Sequence, residues 1–181
     1  MLVLAACNNI KPDYSVQIKT VDSLLAEVKA AEQRFNEIDH QKVLNALDTI
    51  REDMNRMGFV AQGEIELEEA RLFADYNSTK RLIKDYPTRF KRISREMTRT
   101  QKQLSDFREM LSQKADIDNQ GNKITKEYVN KNLEVEKRIA EELIGQVDET
   151  IDYADRAMKS FEELIPQIKA QFKEWKEEKE K

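Results

Sequence analysis

Six bulky apolar residues recur at a spacing of seven: Tyr76, Ile83, Phe90, Met97, Leu104 and Leu111. A complementary set, Tyr86, Ile93 and Phe107, with Thr79 and Thr100 as weaker members, keeps the same spacing. Seven residues make nearly two turns of an α-helix, so each set emerges on one face. In a strand, an odd spacing would throw successive members onto opposite faces. The pattern therefore demands helix. Composition agrees: among 181 residues there are 4 Gly and 3 Pro, and 36% are charged. Such a chain, rich in Ala, Glu, Lys, Leu and Arg, favours long helices over sheet.

The same periodicity reaches both ways from this seam. Ile18, Val21, Leu25, Val28 and Phe35, then Val43, Leu47, Ile50, Met54 and Met57, predict a first helix over 15–57. Its register slips between Phe35 and Val43, which places a break or kink near Asn36–Asp39, with Asp39 able to cap a second piece. Gly58 and Gly63 bracket a turn, and a second helix is expected over 64–114. Pro87 falls inside it, but the heptad continues through, which predicts a kinked, collinear helix; the stretch "DYNSTK" upstream is the rival break point. "KADIDNQGNK" reads as a polar turn around Gly121, with Thr125 capping the next helix. That third helix, over 125–179, carries Ile144, Val147, Ile151, Ala154, Met158, Phe161, Ile165, Ile168, Phe172 and Trp175, with Pro166 just off the seam and expected to bend it. Narrow stripes on three long helices joined by short turns predict an all-α fold: an elongated antiparallel helical bundle or coiled coil over 15–179, whose seams a second copy could complete.

Charge and chemistry narrow the function classes. With 31 basic and 35 acidic residues the net charge is −4, so any case for a charged partner must be local. From Lys80 to Lys102 there are nine basic and two acidic residues. The heptad points Arg81, Lys84, Lys91, Arg92, Arg95, Arg99 and Lys102 away from the seam, which predicts a positive strip facing an anionic partner or solvent. Glu134 to Glu163 carries ten acidic and four basic residues, an acidic helix the strip could meet at its edges. Nucleic acid is disfavoured as partner, since Tyr86 and Phe90 lie on the seam and leave no exposed stacking platform.

The single histidine, His40, is expected to be an exposed helical residue, and no glycine-rich phosphate loop is present. With no nucleophile–base pair in view, no catalytic residues and no cofactor are expected, and the chain is read as not an enzyme. The turn from Asp116 to Glu127 matches part of a calcium-loop pattern at Asp116, Asp118, Gly121 and Glu127. Gln120 and Lys123 depart from it, so no metal site is expected and the polar-turn reading is preferred.

The opening, "MLVLAACNNIKPD", sets an apolar run before the only cysteine. Leu4-Ala5-Ala6-Cys7 resembles the lipobox of bacterial lipoproteins, in which an apolar signal ends in small residues ahead of a cysteine. The resemblance implies residues 1–6 as part of a signal peptide, a diacylglyceryl group on the Cys7 sulfur, an acyl chain such as palmitate on its amine, and a tether over 7–14. Two or more acyl chains give stable membrane anchoring. Six residues without a basic flank are shorter than a whole signal, so the expected start lies further upstream. The texture of the rest is similar to small helical lipoproteins of the Bacteroidota, some labelled "viral A-type inclusion protein", which implies no activity. The expected location is the cell envelope, anchored by lipid at the outer membrane, on its periplasmic or surface face. The partners expected are the membrane and either a second copy or another envelope protein.

Overall fold

A computed structural model describes residues 13–60, 65–118 and 121–179. The expected lipidation site Cys7, the expected signal over 1–6 and all of the expected tether over 7–14 except residues 13 and 14 lie outside them. Among the described residues there are five helices: α1 (Ser15–Asn36), α2 (His40–Val60), α3 (Leu67–Ile83), α4 (Tyr86–Gln113) and α5 (Lys126–Lys179). Among the described residues the sole β feature is an isolated antiparallel bridge between Ile117 and Lys123. The chain is all-helical and its helices pack as a bundle.

The expected first and second helices each come as two pieces, for reasons that lie in single residues. Between α1 and α2 the chain leaves helix at Glu37, and Asp39 restarts it. The Asp39 carboxylate accepts the Lys42 amide at 2.9 Å and its carbonyl accepts the Val43 amide at 3.1 Å, an N-cap at the slip in register. Between α3 and α4 the continuous helix predicted through Pro87 is interrupted, although 67–94 keeps one direction against its neighbours. The proline ring removes the bond to the carbonyl of Ile83, four residues back, and crowds it; α3 stops at Ile83. Asp85 then caps α4, its carbonyl accepting the amides of Thr88 and Arg89 at 3.1 and 2.9 Å. Pro87 thereby sits in the first turn, where its missing N–H has no intrahelical partner to lose. Pro166, by contrast, lies within an unbroken α5.

The turn before α5 is built as its sequence suggests. Gly121 has φ +84° and the Thr125 hydroxyl accepts the Tyr128 amide at 3.1 Å. At the end of α4, Lys114 adopts φ +50°, and the Ala115 amide returns to the Met110 carbonyl at 3.4 Å, closing the helix.

The contacts divide the chain into two compact units: unit 1, Met1–Ala31 with Arg95–Ile144, and unit 2, Glu32–Ser94 with Gly145–Lys181. In unit 1 the buried residues include Val21, Leu24, Val28, Met97, Leu104, Leu111, Val129 and Leu143. Asp13, just before α1, and Asp22 within it meet Lys114 and Arg108 in turn, so α1 and α4 run antiparallel there. Leu24, not the expected Leu25, takes the buried place on α1.

In unit 2 one cluster joins Val43, Leu47 and Ile50 to Phe73, Tyr76, Ile83, Tyr86, Ala154, Ile168, Phe172 and Trp175. The partner pairs fix the directions. Phe35 stacks on Phe90, His40 meets Tyr86 and Asp53 accepts from the Tyr76 hydroxyl, so 35–60 runs antiparallel to 67–94. Glu69 accepts from Trp175 Nε1, Thr79 meets Ser160 and Arg89 pairs with Glu149, so α5 runs antiparallel to that middle segment. Of the weak seam members, Thr79 is 2% exposed and Thr100 1%. Each is a hydroxyl that a core accepts only with a hydrogen bond, and Thr79 has two, to Asp75 O and Ser160 Oγ.

Candidate functional site: the basic faces of the middle helices

Every residue of the predicted basic strip is exposed. In unit 2 these are Arg81 on α3, Lys84 in the break, and Lys91 and Arg92 on α4. In unit 1 they are Arg95, Arg99 and Lys102 of α4. The helical period explains this: with Ile93, Met97 and Leu104 buried, the positions one or two residues away turn outward.

The strip is only partly compensated. Arg89, on the flank, pairs with Glu149 at 2.9 Å and lies over the Tyr153 ring, so the acidic α5 does meet the strip at its edge in unit 2. Arg89 and the Tyr153 hydroxyl hold the Glu149 carboxyl below the ordinary carboxylate range. Arg92 donates to the Gln146 side chain at 3.2 Å and also lies near enough to Glu149 to favour its charged form. Lys102 pairs with Asp106 one turn on, at 2.7 Å. That acid lies just past the window in which the charges stand out in sequence. Among the described residues, no carboxylate lies within 4 Å of the cationic nitrogens of Arg81, Lys84, Lys91 or Arg95. Arg99 faces Glu136 and opposes the upward push that burial gives that carboxyl.

The turn with partial calcium-loop spacing is organised around its own hydrogen bonds. Asp118 accepts the Asn122 amide at 2.8 Å, the Asn122 side chain at 2.9 Å and the Tyr128 hydroxyl at 2.8 Å. This pins the turn, and the bond to Asp118 and burial raise the Tyr128 hydroxyl's pKa. Asp116 and Glu127 are exposed at either end, and among the described residues no group of acidic, histidine or cysteine side chains is placed to hold a metal ion.

His40 is not the exposed helical residue its surroundings in sequence suggest. It opens α2, half-buried, with Nδ1 2.8 Å from the Tyr86 hydroxyl and its ring against Phe90. Burial lowers its pKa and Asp39 partly offsets this. The heptad on the middle segment placed Tyr86 in the core, but the slip beside His40 hid which face the histidine would take. Among the described residues no helix is long and apolar enough to cross a membrane. Compared with protein-family models, with curated proteins and with solved structures, the chain matches none.

Proposed function

We propose that the protein is a lipid-anchored cell-envelope component whose helical bundle serves as a structural or protein-interaction element and not as an enzyme. The observation that carries this reading is Leu4-Ala5-Ala6-Cys7 followed by a short polar stretch and then helix. Acyl chains on Cys7 would hold the bundle to the bilayer, since each buried methylene contributes about 0.8 kcal/mol. The seven residues after the cysteine, 8–14, reach at most ~25 Å when fully extended, so the folded part would stand close to the membrane surface. At the finer level, each unit taken by itself is three-stranded and up-down-up in the manner of a coiled coil, with α1, α4 and α5 supplying the strands of unit 1, and 35–60, 67–94 and α5 those of unit 2. The opposed order of partner pairs along the chain supports this. Palmitate labelling tests the anchor: label should enter the wild type and be lost in Cys7→Ala, and equal labelling of both would defeat the reading.

A second reading is favoured by the exposure of all seven strip cations: an envelope module that binds an anionic ligand, a lipid headgroup or lipopolysaccharide. Arg92→Glu, Arg95→Glu and Arg99→Glu together should abolish binding to anionic liposomes. Unchanged binding would remove this reading and leave the first intact.

A further inference from the structure

Two of the places where helix is interrupted in unit 2, α1–α2 and α3–α4, lie against each other. His40, the first residue after the α1–α2 break, meets Tyr86, the first residue after the α3–α4 break, at 2.8 Å between Nδ1 and the hydroxyl. Phe35, one residue before α1 ends, and Phe90, one turn into α4, stack with centroids 5.1 Å apart and 19° between planes. The His40 ring packs edge-on to Tyr86 and against Phe90. Tyr86 is 2% exposed. At the first break the Asp39 carboxylate caps α2, and at the second the Asp85 carbonyl accepts the first amides of α4.

We infer that His40 and Tyr86 form a proton-sensitive latch across these two helix breaks of unit 2, closed while the imidazole is neutral and released when it is protonated. In the Nε2–H tautomer the Tyr86 hydroxyl donates to Nδ1. A proton on Nδ1 turns that acceptor into a donor, deprives the hydroxyl of its acceptor and sets a charge among Phe35, Tyr86 and Phe90. Burial already holds the imidazole below its ordinary pKa and the Tyr86 hydroxyl well above its own. Of the charged neighbours, Asp39 next to His40 favours the protonated form. From α4, Arg89 is engaged by Glu149 of α5. Asp152 and Asp155 of α5 line a groove beside Ile38 and Glu37 at the α1–α2 break. Among the groups at this contact the imidazole is the one whose ordinary pKa falls between about pH 5 and 7. With the folded pKa below the unfolded one, the latch is fully closed above about pH 6.5 and loosens as pH falls below it.

The full chain tests this directly, because His40 is its only histidine and gives one imidazole resonance. The expected midpoint lies below 6.5, the ordinary histidine value, and Tyr86→Phe moves it upward. Amide protection over 36–44 and 82–90, corrected for intrinsic exchange, should fall severalfold from about pH 7.5 to about pH 5 in the wild type and stay constant in His40→Phe. Should His40→Phe lose its helical circular dichroism, His40→Gln takes its place. A wild-type midpoint at or above 6.5, or equal loss of protection in the non-titrating variant, would overturn the latch. Neither outcome touches the membrane anchor, on which this inference does not depend.

Discussion

Two residues hold conformations or environments that their own chemistry disfavours, and each makes a measurable prediction. Lys114 ends α4 at φ +50°, a left-handed backbone that a side chain bearing Cβ adopts at a cost of about 1 kcal/mol. Glycine at that position closes a helix without it. Lys114→Gly should therefore raise stability by about 0.5–1 kcal/mol in urea unfolding, with the slope unchanged. Glu136 on α5 has Oε2 buried without a hydrogen-bond partner, and burial raises its pKa against the pull of Arg99. Its folded pKa lies above the unfolded 4.5. The stability it contributes is thus complete below pH 4.5 and is lost as pH rises through the folded value. Glu136→Gln should be the more stable protein at neutral pH, by less than about 1 kcal/mol given solvent screening, and the advantage should vanish near about pH 4. Neither Lys114 nor Glu136 is conspicuous in the sequence. Lysine is an ordinary residue near a helix end, and Glu136 lies in an acidic run that reads as a solvated face. Their strain arises only when neighbouring segments fix the backbone and cover the carboxylate.

At the scale of elements, the two interior prolines show what periodicity can and cannot reveal. The heptad runs through Pro87 and past Pro166 alike, because both keep the surrounding side chains on their faces. What separates them is their place in the helix. At Pro87 the chain leaves helix over 84–85, the Asp85 carbonyl accepts the amides of Thr88 and Arg89, and the proline falls in a first turn. Pro166 lies within α5; the helix continues and absorbs the missing bond. The α1–α2 break was legible for another reason: the register slip and Asp39 coincide, and the carboxylate does cap α2. Pro87→Ala should thus shift stability by less than about 0.5 kcal/mol, whereas Pro166→Ala should raise it by about 1–3 kcal/mol. Thermal unfolding followed by helical circular dichroism compares the two, and equal effects would mean that position in the helix does not govern the cost. The seam itself was legible for a simple reason. Tyr76, Ile83, Met97, Leu104 and Leu111 are all buried, down to 0–1% exposure. Phe73 escaped it: α3 buries Phe73, Tyr76, Thr79 and Ile83 at steps of three, three and four, and pairs Phe73 with Phe172 and Trp175 at centroid distances of 5.6 and 5.3 Å. Those aromatic partners lie about a hundred residues on, where no local spacing reports them.

For the molecule as a whole, attachment to a membrane could arise from two features that differ in physics. Acyl chains on Cys7, as proposed, would act through the hydrophobic effect and be indifferent to salt, whereas the cations Arg81, Lys84, Lys91, Arg92, Arg95, Arg99 and Lys102 would act through Coulomb attraction. In about 1 M NaCl the screening length is only about 3 Å, shorter than the reach of an arginine head across hydrated headgroups. Arg81, Lys84, Lys91 and Arg95 have no carboxylate within ion-pair distance among the described residues, so added salt has little internal compensation to undo before it weakens an external contact. If lipidation holds the protein, membrane fractions from the native host should keep it through a wash in about 1 M NaCl and release it in detergent, and Cys7→Ala should move it to the unbound fraction. Release of the wild type by salt alone would transfer the role to the strip. Retention of Cys7→Ala through the salt wash would count against both features.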